Sequence, residues 1–247
     1  MTSKGKITKI ADGAGVEARV VERDYVLHHV VSLVSARDTA GKLVFKGGTS
    51  LRLLHFDEYR YSADLDYSVI DLSESAARDL IRGALVTSDA IKELRLEDEG
   101  IFYVGPLGAA RTIKLDLTND ELVENTERRT MVDRWSDVPK SEVLAYTKLE
   151  ITAEKLRCVL QRRQCRDLLD LGVLLETEDP MAAAELFARK AKHRSLNPTT
   201  FAATFEKRIR DYKGDWNKEL DEYLGDVPHF AEVERTVRRA LRKASLI

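Results

Sequence analysis

Apolar positions at Val20, Leu27, Val31 and Val34 recur with a helical period and predict a helix over residues 16–36. Residues 38–42, with Gly41 among them, end it, and "KLVF" then reads as a short buried strand running into Gly47 and Gly48. "SLRLL" opens a further helix, with Thr49 or Ser50 as its N-cap. In "ADLDYSVI" the period drops to two, putting Leu65, Tyr67 and Val69 on one face and Asp64, Asp66 and Ser68 on the other. A helical rhythm returns over residues 74–95. "GIFYVG" and "RTIKLDLT" predict two strands joined as a hairpin through Gly105 and Pro106. The polar run "NDELVENTERRTMVDRWSDVPKSEVLA" reads as a linker. From Ser141 onward the pattern is helical, interrupted at Pro180, Asn197-Pro198, Gly214 and residues 225–228. The expectation is an α+β front followed by an α-helical rear, divided into residues 1–135 and 136–247.

A chain of 247 residues can bury a substantial core as one large or two small domains. No apolar run approaches the ~18 residues of a membrane helix. The opening "MTSKGKITKIADG" has no apolar stretch of the secretory kind, so a cytoplasmic protein without a membrane partner is expected. Cys158 and Cys165 have no second Cys/His pair at zinc spacing and are expected as reduced thiols. The net charge of -2 conceals an asymmetry: residues 186–247 carry +5 (14 Lys and Arg, 9 Asp and Glu) and the first 185 carry -7. A metal site in front with a polyanion-gripping rear fits this, and so does a merely charged surface helix.

Asp64 and Asp66, two residues apart on a strand, point the same way ~6.5–7 Å apart. They can aim at one cation or bracket two, since like charges this close repel unless a cation joins them; a solvated strand end is the alternative. In "TIKLDLT", Ile113, Leu115 and Leu117 alternate with Lys114, Asp116 and Thr118, so Asp116 is expected mid-strand among buried neighbours, where an unpaired carboxylate is costly. If that strand lies beside the Asp64/Asp66 strand, three carboxylates converge; otherwise Asp116 pairs with a Lys or Arg of a neighbouring strand. An all-oxygen set without His or Cys suits Mg²⁺ or Mn²⁺. After Lys46, the Gly47-Gly48 turn lets backbone N–H groups approach a ligand, and Thr49 and Ser50 add hydroxyls, a corner fit for nucleotide phosphates. It is not a Walker loop, and a structural strand-to-helix turn would look the same.

Farther on, "AEKLRCVLQRRQCRDLLDLGVLL" carries one apolar stripe at Leu156, Val159 and Leu160 and another at Leu168, Leu169 and Leu171. Lys155 edges the first stripe within reach of a triphosphate, and Asp167 and Asp170 are i, i+3 neighbours at the start of the second helix; a surface lysine and helix N-terminal charge are the alternatives. Arg157, Arg162, Arg163 and Arg166 could face phosphate or solvent. At the rear, "ARKAKHR" and "RTVRRALRK" concentrate positive charge, and Arg235, Arg238, Arg239 and Arg242 share one helical face. That face suits RNA, a partner protein or water. The five histidines are scattered without a nucleophile partner, and Trp135 and Trp216 read as packing residues.

A glycine turn, an alternating acidic pair and a later strand aspartate resemble the polymerase-beta-like nucleotidyltransferase superfamily. "FKGGTSLRLL", "RYSADLDYSV" and "EITAEKLRCVLQRRQCRDLLDL" together resemble the AbiEii/AbiGii toxins of type IV toxin–antitoxin and abortive-infection systems, Men-type toxins included, over about residues 40–175. The resemblance implies a mixed-sheet nucleotidyltransferase core and a helical C-terminal lobe closing over the nucleotide site. It implies magnesium-dependent transfer of NMP from an NTP with release of pyrophosphate, to an RNA acceptor such as the tRNA 3′ end, so that translation stops. A separately encoded antitoxin is implied as partner. The Ser-x-Asp element of the family falls on Ser62 and Asp64, with Asp66 the second acidic residue; the later lysine falls on Lys155, and the Arg-Asp motif on Arg166 and Asp167, with Asp170 one turn on. The expected catalytic set is thus Asp64, Asp66, Asp116, Lys155 and Asp167, with metal on the first three. The expected nucleotide contacts are Lys46, Gly47, Gly48, Thr49, Ser50, Ser62, Arg166 and Asp170. Two other classes stay open, a nucleotide- or RNA-binding regulator without transfer activity and a nucleotidyltransferase with a small-molecule acceptor.

Overall fold

The computed structural model describes residues 2–86, 88 and 90–247. Helices α1 (Lys4–Ala14) and α2 (Ala18–Arg37) lead into strand β1 (Leu43–Lys46), a helical turn α3 (Gly47–Ser50) and a π-helical turn at Leu51–His55. Strand β2 (Leu65–Val69), helix α4 (Glu74–Leu85) and strands β3 (Glu93–Glu97), β4 (Gly100–Val104), β5 (Ala110–Thr118), β6 (Thr126–Thr130) and β7 (Glu142–Tyr146) follow. Thereafter come α5 (Lys148–Gln161), α6 (Cys165–Thr177), α7 (Pro180–His193), α8 (Phe201–Leu220) and α9 (Phe230–Lys243). Among the described residues the seven strands form one sheet in the order β3-β4-β5-β2-β1-β7-β6. The sheet is mixed: β1 runs parallel to β7 and β2 to β5, and the other neighbours are antiparallel. The α+β class with a helical C-terminal region is as expected.

Two compact units emerge. The first comprises Met1–Asp120, Thr126–Tyr146 and Tyr223–Gly225; the second comprises Glu121–Asn125, Thr147–Glu222 and Asp226–Ile247. In the first, the period-2 pattern buries Leu65, Tyr67 and Val69 of β2 and Ile113 and Leu115 of β5 in one core with α2 and α4. Helix α4 contributes Ala77, Ile81, Ala84 and Leu85, an i, i+4, i+7, i+8 stripe, and Ser73 caps it by accepting from the Ala76 N–H. In the second, Thr147 caps α5 through the Glu150 N–H and Asp179 caps α7 ahead of Pro180, each cap contributing about 1 kcal/mol. Cys158 and Cys165 are buried free thiols, and burial pushes each up to about 12, so neither is a nucleophile.

Several expected elements differ. The helix expected over 74–95 stops at Leu85, and Glu93–Glu97 is an edge strand; Thr87 and Asp89 lie outside the described residues. The expected linker holds two strands, β6 and β7. Strand β6 pairs on one side only, so its charged alternation "TERRT" carries no core signal. Thr49 and Ser50 are not N-caps, because the helical turn already begins at Gly47.

Candidate active site

The strand register assembles a polar row across the sheet. Asp66 on β2 lies opposite Lys46 on β1 and beside Asp116 on β5. Asp64 precedes β2 by one residue and Lys114 precedes Asp116 by two, on the face away from buried Ile113 and Leu115. The Lys114 ammonium donates to Asp116 Oδ2 at 2.6 Å. It is held protonated above the ordinary lysine range, first by that hydrogen bond and then by the charges of Asp116, Asp64 and Asp66. All three carboxylates therefore share the field of one cation. Two expectations for Asp116 are corrected: its side chain is 43% exposed rather than buried, and its partner comes from its own strand rather than a neighbouring one.

The glycine turn is built against this row. Gly47 has φ +78°, and a Cβ there would collide with Asp66 Oδ2; a Cβ at Gly48 would collide with the Arg60 guanidinium. Thr49 is fully buried, its hydroxyl donating to the Asp64 carbonyl and lying 2.8 Å from Ser62 Oγ. Ser50 Oγ donates to the Gly47 carbonyl at 2.8 Å. Thr49 thus ties the turn to the lead-in of β2 while Ser50 closes the turn on itself, which is why neither hydroxyl caps a helix. The Lys46 ammonium lies 5.7 Å from the centre of the Tyr146 ring, whose hydroxyl is 2.7 Å from Ser68 Oγ. Gly47→Ala forces an unfavourable φ and displaces Asp66, so it is expected to cost about 2 kcal/mol, a fall in Tm of roughly 4–8 °C. Thermal unfolding of the variant checks this, and an unchanged Tm would mean that the turn tolerates a side chain.

A brace that sequence reasoning missed lies behind the turn. Arg52 Nε donates to buried Asp24 Oδ1, and its guanidinium also bonds the Tyr59 carbonyl and stacks 3.7 Å from the Tyr61 ring centre. Trp135 Nε1 donates to Asp24 Oδ2 at 3.3 Å, and Arg134 donates to the carbonyls of Arg52 and Phe56. Burial alone would raise the Asp24 carboxyl; His28 and Arg52 outweigh it and hold it below the usual range.

The helical unit gathers the other expected residues. The Lys155 ammonium donates to Asp167 Oδ1 at 2.8 Å and lies 2.6 Å from Asp170 Oδ2, both carboxylates being fully buried. Arg162 grips Asp167 bidentately at 2.8 and 3.0 Å. Burial would raise the Asp167 carboxyl, but Lys155 and Arg162 hold it low. Arg166 Nη2 lies 3.5 Å from Gln164 Oε1. The arginine cluster is largely engaged in ion pairs: Arg157 bonds Glu121 and Glu154, Arg162 bonds Asp167, and Arg163 bonds Asp215. The rear basic segments are corrected likewise. Lys190 is fully buried, donating to Glu150 and the Leu122 carbonyl, and Arg189 pairs with Glu124. Arg238 pairs with Glu234 and Glu206, while Arg235, Arg239 and Arg242 are exposed.

Among the described residues no three His, Cys, Asp or Glu side chains form a ready-made metal cage. The donor set of the row nonetheless fits a hard divalent cation in kind: three carboxylates from two neighbouring strands, with the Lys114 ammonium standing in as the cation they draw. Among the described residues no helix is long and apolar enough to cross a membrane.

A family model described as nucleotidyl transferase AbiEii toxin, type IV toxin–antitoxin system, matches residues 32–243. No curated protein matches the sequence. Among solved structures, the chain is similar to MenT4, a nucleotidyltransferase toxin from Mycobacterium tuberculosis H37Rv, at 17% identity and a TM-score of 0.70, over 100% of this chain and 94% of that one. An antigenic nucleotidyltransferase-like protein from Paracoccidioides brasiliensis is similar at 18% identity and a TM-score of 0.44, over 72% of this chain and 92% of that one. The first likeness establishes the nucleotidyltransferase fold.

Proposed function

The chain belongs to the AbiEii family of nucleotidyltransferase toxins of type IV toxin–antitoxin systems, and from that premise we propose that it transfers a nucleoside monophosphate from an NTP to an RNA 3′-hydroxyl, with the tRNA 3′ end as acceptor. The observation that carries the reading is the in-register pair Asp66 and Asp116, with Asp64 beside them, around one cation. In this reading Asp64, Asp66 and Asp116 hold Mg²⁺ or Mn²⁺. The metal supplies charge neutralisation at the triphosphate and a more acidic acceptor hydroxyl. Asp116, 43% exposed and among the described residues hydrogen-bonded through one oxygen to Lys114, accepts the proton of the attacking hydroxyl. Gly47 and Gly48 present backbone N–H groups to the triphosphate at the start of α3, with Lys46 adding positive charge. Thr49 with Ser62 holds that turn on the lead-in of β2 and Ser50 closes it internally, and together they position it.

In the helical unit, Lys155, Asp167 and Asp170 form an ion-pair network that sets the turn bearing Arg166, the nucleotide contact of this group. The protein acts in the cytoplasm beside a separately encoded antitoxin, as its family implies. Incubating the purified chain with each labelled NTP, total tRNA and Mg²⁺ tests the proposal. Label transferred to RNA supports it, label on small molecules alone points to a different acceptor, and no transfer with any NTP overturns it.

The exposed arginines of α9, clustered on one helix, are our candidates for an RNA contact at the rear. Arg239→Glu with Arg242→Glu is expected to raise KM for tRNA severalfold while leaving KM for NTP unchanged, with the difference growing at low salt. Wild-type kinetics for tRNA at both low and moderate salt would take α9 out of the RNA contact.

A further inference from the structure

Lys114 stands within the carboxylate row. It shares a face of β5 with Asp116, two residues or about 6.5–7 Å further along the strand. The register that pairs Leu65 with Leu115 brings Asp64, one residue before Leu65, alongside Lys114 on the β2 side. On the β4 side its partner is Gly100, which has no side chain to hem in the lysine stem. Among the described residues the ammonium makes one hydrogen bond, to Asp116 Oδ2 at 2.6 Å, and Asp64 and Asp66 act on it through their charges.

The lysine is held there loosely. Its side chain is 64% exposed and that of Asp116 43%, and an ion pair so open to water is weak, because solvent screens it and the flexible stem has many other rotamers. A divalent cation at the row makes a stronger demand. Among the described residues no three His, Cys, Asp or Glu side chains form a ready-made cage, so an ion shared by β2 and β5 has to draw Asp116 towards Asp64 and Asp66, against the pull of the lysine. An ammonium within a few ångströms of such an ion also repels it directly. Once displaced, the ammonium stays tethered to the same face, within reach of a phosphate that accompanies the ion.

We propose that Lys114 is a displaceable counter-ion that makes divalent-cation binding depend on the nucleotide. It pairs with Asp116 and weakens binding of the bare ion, and it pairs with a phosphate oxygen when ion and triphosphate bind together. The inference rests on the metal and triphosphate reading of the row and extends it to a residue to which that reading gives no role.

Mn²⁺ binding followed by electron paramagnetic resonance tests the proposal without any transfer step. Titrations are made with Mn²⁺ alone and with Mn²⁺ plus NTP analogues that resist cleavage between the α- and β-phosphates. Lys114→Met keeps the length of the stem and removes the charge; Lys114→Arg keeps the charge. Lys114→Met is expected to bind Mn²⁺ alone about three- to tenfold more tightly than the wild type, and Lys114→Arg to stay within about twofold of it. With the analogue present the advantage of Lys114→Met should vanish, because the phosphate contact is lost with the charge. Thermal unfolding confirms that both variants are folded. If folded Lys114→Met binds bare Mn²⁺ no more tightly than the wild type, the proposal is overturned. Tightening of equal size with and without the analogue also overturns it, since the lysine is then a fixed repulsive charge. No Mn²⁺ binding by the wild type or either variant removes the metal reading of the row and this inference with it. The expected pattern in a protein that transfers no label to RNA upholds the inference and rejects only the RNA acceptor.

Discussion

Asp64→Ala and Asp66→Ala are each expected to lower nucleotide transfer by on the order of 10²–10³-fold or more, with Tm changing by no more than about 2 °C. The two halves of this expectation have one cause. Asp64, Asp66 and Asp116 crowd like charges on one face, all acting on Lys114, so removing one carboxylate relieves repulsion and leaves the core beneath the row untouched. The same removal takes away a third of the negative charge that would hold a divalent cation. Transfer assays with labelled NTP alongside thermal unfolding read both halves. Undiminished transfer in both variants would remove the carboxylate row from the chemistry. A large fall in Tm for Asp66→Ala alone would make its contact with Gly47 structural.

The row was legible in the sequence because its signal is local. Asp64 and Asp66 sit in a strand with an unbroken period of two, and Asp116 repeats the pattern in "TIKLDLT". That β2 and β5 lie parallel and in register could be stated only as a condition, since pairing partners fifty residues apart leave no local trace. Lys114 belongs to the same alternation, and its cue is a lysine two residues before an aspartate on one strand face. The glycine turn was found, but its hydroxyls were given the wrong partners. An N-cap is a local hydrogen bond, whereas Thr49 bonds to residues that the fold brings back from the far end of a loop.

What stayed illegible was long-range ion pairing. Lys190 looked like one positive charge in a basic segment, and nothing in "ARKAKHR" shows that Glu150, forty residues earlier, takes it into a dry interior. The same holds for Arg52 with Asp24 and for Arg157 with Glu121. A buried lysine with a carboxylate partner and a solvated lysine have the same sequence signature, so charge counts overstate the surface charge available to a polyanion. The +5 balance of residues 186–247 is therefore a poor measure of an RNA grip, and the exposed Arg235, Arg239 and Arg242 of α9 are a concentrated part of what stays on the surface.

Lys155 is where the family pattern and the structure make different demands, and one variant separates them. Its ammonium is buried between Asp167 and Asp170, both fully buried, and Arg162, 47% exposed, is the other cation on Asp167. Lys155→Ala leaves two carboxylates without their shared partner, so a loss of about 3–5 kcal/mol is expected, a fall in Tm of roughly 10 °C or more. The pH dependence follows from the direction of the Asp167 shift. Its folded carboxyl lies below the ordinary aspartate value, so the stability it contributes is complete above about pH 4 and is lost as pH falls through the depressed folded value. The gap in stability between wild type and Lys155→Ala should accordingly be widest near neutral pH and narrow below about pH 4, where protonation removes the uncompensated charge in the variant. Lys155→Met with Asp170→Leu replaces most of the ionic contact by apolar contact and should recover part of the lost Tm. If the double variant regains stability and transfer together, Lys155 acts by positioning the helical unit. If it regains stability while transfer stays abolished, the ammonium itself works on the nucleotide. A Lys155→Ala protein with wild-type Tm at neutral pH would show that the ion pair contributes nothing to the fold.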